Sequence, residues 1–381
     1  MRPTKYPKPK ATSNALVLSP QGGGREVALP ADILASAKGF AKHSRSEATR
    51  KAYAYWWRDY TGWCDGNGRD PIPATVETVV GYVTGLATRS GKNKNGADTG
   101  RPLAIASIGQ AMAAIKLAHR SRGVQFDSDN EDLKSVLKGI RRETAKVRPI
   151  RRVKPLMADD LRDLLESLRT DNLREARDAA LLALGWAAAM RRSELVGLDW
   201  NVLGDGKDKH RTGFVEIDDT DGITVTLMTS KASQETTQTI VVPKDHAPLI
   251  CKAVNNWIEL AKIERGSPVF RPIEGKLDGK KVGASRLTTQ TVARTIKRRI
   301  HVLIKSRSKG RNKMTPEDIK TLTALFSGHS MRVGYVTSAA ERDIPSHRIR
   351  QQTRHKTEAM VSVYIRNVDI RKNSGLKGVG F

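Results

Sequence analysis

Four short stretches of the chain hold side chains that could do chemistry. In FSGHSMRVGY, Phe326 to Tyr335, His329 and Arg332 are three residues apart, which on a helix places them on one face. MRRSELV sets Arg191 three residues before Glu194, and MTSKASQET carries Lys231. RHKTEAMVSVYIRN carries His355 and, nine residues later, Tyr364.

The His329 and Arg332 pair could face a metal, a phosphate or solvent. A metal needs further His, Cys or carboxylate ligands at short spacing, and no HExxH, CxxC or paired Asp follows. A neighbouring arginine would also repel a cation. Phosphate fits better, because Arg332 and a ring N–H of His329 can both donate to an oxyanion. Arg191 stands at the exit of an apolar run, where its guanidinium fork suits a carboxylate or a phosphate. Glu194 could hold that fork, or the two could form a plain surface ion pair. Lys231 lies between two predicted strands, where a lysine commonly protects a sheet edge, so it gains meaning only in company. Tyr335 is followed by Ala339 and Ala340 on what reads as a packed face, which suits a core or groove-lining role.

The elements that must position these groups belong to a basic chain of two predicted domains. Its 381 residues include 67 Lys and Arg against 40 Asp and Glu, a formal net charge of +27. Such an excess points to a polyanionic partner, nucleic acid being the commonest, although charge alone leaves a ribosome-like structural protein open. Cys64 and Cys251, the two cysteines, fit no disulfide framework and no zinc spacing, which favours a reducing, cytoplasmic compartment. The basic start MRPTKYPKPK lacks the apolar run of a secretory signal. The longest apolar run, AALLALGWAAAM, is shorter than the roughly 18 residues of a membrane span, so it reads as a buried helix.

Residues 1–35 read as a disordered basic arm and 36–145 as a helical domain. Within it Tyr53, Trp56, Trp57, Tyr60, Trp63 and Cys64 recur at helical spacing after Ser44 or Ser46, a stripe that reads as core rather than as a base-stacking platform. Helices follow at Ala74 to Thr88, at Ala104 to Arg120 and after Asp129, with RSGKNKNGADTGRP as a flexible loop between the first two of these. VRPIRRVKPL, within residues 146–157, reads as a cationic linker or a solvated loop. Residues 158–366 read as a mainly helical domain with one small antiparallel sheet built from GFVEID, GITVTLMTS and TTQTIVVP. A helix over Leu287 to Ile304 carries Arg294, Lys297, Arg298 and Arg299. Residues 367–381 read as a short tail, with no long helix, whose spaced apolar side chains suit docking on a neighbouring subunit rather than a mobile end.

Taken in order, Arg191 with Glu194, Lys231, His329-x-x-Arg332, His355 and Tyr364 resemble the tyrosine site-specific recombinase (phage integrase) family, and most of all its Cre-type members. SGHSMRVG from Ser327, VYIRN ending at Asn367 and the stretch from Ser46 carry that likeness across about residues 40 to 370. The resemblance implies a mainly α fold, with a helical core-binding domain and an α-rich catalytic domain forming a C-shaped clamp around DNA. It implies that Tyr364 attacks a scissile phosphate to leave a 3'-phosphotyrosyl bond and a free 5'-hydroxyl. Arg191 and Arg332 would hold the non-bridging oxygens and Lys231 would protonate the leaving oxygen. His329 would assist proton transfer, Glu194 would orient its neighbours and His355 would donate to the phosphate. No metal and no cofactor is implied.

Two departures from the family stand out. Thr353-Arg354-His355 occupies a place where glycine commonly precedes the histidine or tryptophan, and the closest Cre-type members resemble the tryptophan version. The tail after Tyr364 is short. The expected partner is double-stranded DNA with inverted half-sites, bound by a dimer per site and a tetramer in synapsis, in a bacterial, phage or mobile-element setting. Gln110, Lys116, His119 and Arg120 on one helix, and Arg294, Lys297 and Arg298 on another, are the candidate DNA-reading side chains. The rival readings are a non-catalytic DNA binder on the same scaffold and a topoisomerase or telomere-resolving relative.

Overall fold

Ser46 starts the first packed helix, its side chain accepting the Thr49 backbone N–H and so satisfying one of the orphan donors of a helix N-terminus. The computed structural model describes residues 45–92, 97–148, 153–204, 208, 210–228, 237–275, 281–310 and 313–372, with Asp32 and Ser36. These residues fall into two compact units that divide between Ile150 and Arg151.

The first unit is built from α1 (Glu47–Gly66), α2 (Val76–Thr88), the strands β1 (Ser90–Lys92) and β2 (Asp98–Pro102), α3 (Ile105–Arg120) and α4 (Glu131–Val147). Its core takes Trp56, Tyr60 and Cys64 from α1, Val79, Tyr82, Val83 and Leu86 from α2, and Ile108, Met112 and Ile115 from α3. Tyr53, Trp57 and Trp63 pack against that core, so the aromatic stripe is a packing face. RSGKNKNGADTGRP is not a plain loop: β1 and β2 pair antiparallel on either side of its centre. The GKN and GAD turn chemistry marked a loop tip, and the polar strands beside it carry no apolar alternation by which to recognise them.

The second unit opens with α5 (Ala158–Ser167), α6 (Leu173–Ala187) and the short α7 (Arg192–Val196). The strands β3 (Leu198–Trp200), β4 (Gly213–Asp218), β5 (Gly222–Leu227) and β6 (Gln238–Pro243) then form one sheet in that order. β3 pairs parallel to β4 and the other pairs are antiparallel, so the expected antiparallel sheet gains a parallel edge. Three residues of LDW are too few to show a period. Helix α8 (Pro248–Leu260), the pair β7 (Ile273–Glu274) and β8 (Lys281–Val282), α9 (Thr289–Arg307), α10 (Pro316–Ala324), α11 (Ser330–Glu341), α12 (Ser346–Thr353) and α13 (Glu358–Lys372) complete it.

α6 is enclosed on nearly every side, with Ala180, Leu181, Leu182, Ala183 and Leu184 fully buried. Its small side chains allow close packing by its neighbours. The far end of the expected linker is docked rather than free: the Lys154 and Leu156 amides donate to the Leu325 and Ser330 carbonyls at 3.0 Å each. A Cβ at Gly334 would collide with the Leu156 backbone, so glycine is what lets α11 approach this segment. The chain stays helical past Tyr364 to Lys372, further than expected of the tail, and Val368 makes an apolar contact with the cluster of Val336 and Ile349. The arm of residues 1–35, apart from Asp32, the linker centre at 149–152 and the end of the tail, 373–381, lie outside the described residues.

Candidate active site

The site forms where α6 ends. Beyond the last helical turn the carbonyls of Ala187, Ala188 and Ala189 point away from any helical donor, and Ala189 takes a left-handed φ of 44°. Side chains from far along the chain meet all three. Gln352 Nε2 donates to Ala187 at 2.9 Å, Arg354 Nη1 to Ala188 at 3.0 Å, and Arg332 Nη1 to Ala189 at 2.7 Å. A helix C-terminus carries partial negative charge, which favours guanidinium groups there.

Two residues on, the Arg191 backbone N–H donates to Glu194 Oε2 at 2.8 Å and its Nη1 donates to Oε1 at 2.6 Å. Glu194 is 4% exposed and Arg191 26%, so this is a buried carboxylate holding a partly open guanidinium, not a surface pair. Arg354 Nη2 donates to the same carboxylate at 2.8 Å. Burial alone would raise the Glu194 pKa, but Arg354 and then Arg191 outweigh it and hold the carboxyl below its ordinary value.

Arg332 is among the largest fully buried side chains, and its Nη2 has no hydrogen-bond partner among the described residues. Burial, then Arg191 and Arg354, lower its pKa to about 10, and the Tyr364 phenol belongs to its electrostatic surroundings. His329 stands at the N-cap position of α11 without a side-chain capping bond, and the residue is exposed. Partial enclosure, followed by Arg332, Arg191 and Arg192, lowers its pKa. Gly328 lies against the aliphatic stem of Arg192, where a Cβ would not fit.

His355 Nδ1 and Thr353 Oγ1 are 2.7 Å apart, and Thr353 Oγ1 is also 2.7 Å from the Ile349 carbonyl. A carbonyl only accepts, so the single hydroxyl proton goes to Ile349 and the His355 Nδ1–H donates to the hydroxyl. The remaining Nε2 is therefore a lone pair whenever the ring is neutral. Desolvation, then Arg332 and Arg191, push the His355 pKa down to about 4.

Arg191, Glu194, His329, Arg332, His355 and Tyr364 thus gather around the end of α6, while Lys231 lies outside the described residues. Tyr335 packs edge-on against Trp186 at 5.4 Å, a packing role. Gln110, Lys116 and Arg120 are exposed on α3, and Arg294 and Lys297 on α9. His119 is not on that exposed face. Its ring is 1% exposed, with Nε2 accepting the Ala74 amide and Nδ1 donating to Ile115, both at 2.9 Å. Arg298 is committed to the buried Asp178 at 2.6 Å. Sequence reasoning missed two members, Arg354 and Thr353. Their one signal was the loss of the family's glycine before His355.

Residues 154–370 match the Phage integrase family, more than half of the chain. The chain belongs to that family. It is 30% identical over 346 residues to an integrase/recombinase xerD homolog of Selenomonas ruminantium, covering 89% of this chain and 87% of that protein. It is 24% identical over 333 residues to the Cre recombinase of Escherichia phage P1, covering 85% of each. The fold is also that of the Tn1549 transposon integrase solved with transposon right end DNA, with a TM-score of 0.51 at 13% identity, covering 89% of this chain and 98% of that one. Family membership carries site-specific recombination, the breaking and rejoining of DNA, as the class of activity of this integrase-family chain. No helix among the described residues is long and apolar enough to cross a membrane.

Proposed function

We propose that this integrase-family chain cleaves DNA through Tyr364, forming a 3'-phosphotyrosyl bond and releasing a 5'-hydroxyl, and exchanges strands through a Holliday junction. The observation that carries this reading is the buried Nη2 of Arg332, without a partner among the described residues. A buried cationic donor left without a partner is costly, and an incoming phosphate oxygen would satisfy it.

Arg332 and Arg191 are the donors to the non-bridging oxygens of the scissile phosphate. Both are held by the chain before DNA arrives, so little reorganisation is needed as negative charge develops. A free phenol has a pKa near roughly 10 and needs a proton acceptor or cationic surroundings to react. His329, whose pKa is lowered by partial burial and then by Arg332, Arg191 and Arg192, is the group that takes part in that proton transfer. Lys231 is assigned by resemblance to protonate the leaving 5'-oxygen, and His355 to donate to the phosphate, which its Nε2 does only in the doubly protonated ring that a phosphate anion favours. Because the phosphodiester energy is kept in the tyrosyl ester, rejoining to another strand needs no ATP.

The partner is duplex DNA with inverted half-sites, with a dimer on each site and a tetramer in synapsis. The first unit serves as the core-type DNA-binding domain, with Gln110, Lys116 and Arg120 toward the duplex, and the second unit adds Arg294 and Lys297. The test is recombination between two plasmid-borne copies of a duplex that the protein selects from a randomised pool. Strand exchange in EDTA supports the reading; binding without any exchange supports the non-catalytic alternative instead.

A further inference from the structure

Arg354 stands where the family commonly has glycine, and its backbone shows why glycine would suit: φ is 57° and ψ 40°, the left-handed region. A large side chain held there needs compensation, and Arg354 has it. Its fork donates to the Ala188 carbonyl at 3.0 Å, to the Ala189 carbonyl at 3.5 Å and to Glu194 Oε2 at 2.8 Å. The side chain is 4% exposed, so it does not reach solvent.

We infer that Arg354 is a positioning residue that holds Glu194 in place, so that Glu194 presents Arg191 to the scissile phosphate. The inference rests on the recombinase reading of the same site. Glu194 is the hub: Oε1 takes Arg191 Nη1, while Oε2 is shared between the Arg191 amide and Arg354. Arg354 also braces the two carbonyls from which Arg332 and the α6 terminus take their positions. The charged groups facing Glu194 are Arg191 at the start of α7, Arg354 after α12 and Arg332 on α11. Against the desolvation that raises the Glu194 pKa, the charge of Arg354 is the largest single lowering cause, followed by the hydrogen bonds and charge of Arg191.

Removing Arg354 therefore has a consequence that general loosening lacks. A carboxylate with a depressed pKa is protonated as pH falls through that value, and losing a buried neighbouring cation moves the value up. The acid limb of the cleavage rate, to which Glu194 and His355 both contribute through pKa values that Arg354 lowers, then moves to higher pH.

The experiment compares wild type, Arg354→Gly and Arg354→Lys on a nicked duplex selected by the protein from a randomised pool. Covalent complex formation is followed against pH, and duplex affinity and melting temperature are measured alongside. Arg354→Gly is expected to bind within about threefold of wild type and to cleave about 100-fold more slowly, the cost of a misplaced group. Its acid limb moves to higher pH. Arg354→Lys keeps the charge but not the fork, and is expected to lose rate while its acid limb stays near that of wild type. If Arg354→Gly does not fold, the split between binding and rate in Arg354→Lys decides. Wild-type cleavage by both variants, or a slower Arg354→Gly with an unmoved acid limb, overturns the inference. A wild-type protein that forms no covalent complex, by contrast, overturns the recombinase reading itself.

Discussion

Thr353 and His355 are joined by a 2.7 Å hydrogen bond that fixes which ring nitrogen of His355 carries the proton. The neutral ring keeps its Nε2 as a lone pair, so donating to a phosphate through Nε2 requires a second proton. Desolvation and the arginines depress the His355 pKa from 6.5 to about 4. Stability from this group is therefore full above about pH 6.5 and is lost as pH falls toward 4. The partly open ring discounts the effect to on the order of 1–2 kcal/mol. Urea unfolding at several pH values should show His355→Gln losing less stability than wild type across that window. Parallel curves would contradict the assignment.

Arg332 should separate binding from chemistry. Arg332→Gln is expected to reduce covalent complex formation by about 100- to 1,000-fold while changing duplex affinity by less than about tenfold. Arg332→Lys should not restore the rate, because a point charge cannot both bond the Ala189 carbonyl and reach an oxyanion. Single-turnover cleavage on a nicked duplex, with gel-shift affinity beside it, reads both.

Lys297 and His119 should behave oppositely. Lys297→Ala is expected to lower the slope of log affinity against log salt by about 1, as one phosphate contact is lost. His119→Ala should leave that slope unchanged and lower the stability of the first unit, since the Ala74 amide loses its acceptor. The loss is about 1–3 kcal/mol. A salt titration and a thermal melt distinguish the two.

Gly334→Ala should destabilise the second unit by about 1–3 kcal/mol, because its Cβ would overlap the Leu156 backbone that α11 rests on. Thermal unfolding checks this. An unchanged melting temperature would mean that α11 does not pack so closely.

The cluster was legible in part: Arg191, Glu194, His329, Arg332, His355 and Tyr364 were singled out by type and spacing, and the fold brings them together at the end of α6. Helices with apolar stripes, such as α1 and α9, were legible for the same kind of reason. What was hidden depends on contacts between distant segments. His119 shares an exposed-looking helix face with Lys116 and Arg120, yet the Ala74 amide draws it inside. Arg298 sits among solvent-facing basic residues but answers to Asp178, 120 residues away. Arg354 reads as one more basic residue until α6 ends against it with two carbonyls and Glu194. Strand β3 has only three residues, and its pairing depends on β4 rather than on its own pattern.

The central claim is that Tyr364 attacks the phosphate. The most direct measurement incubates the protein with a selected, end-labelled, nicked duplex in EDTA, denatures the mixture and maps the labelled peptide by mass spectrometry. The account predicts a covalent adduct at Tyr364 carrying the 3' end of the cleaved strand, absent in Tyr364→Phe. An adduct on Tyr335 or another side chain, or one that persists in Tyr364→Phe, would contradict it.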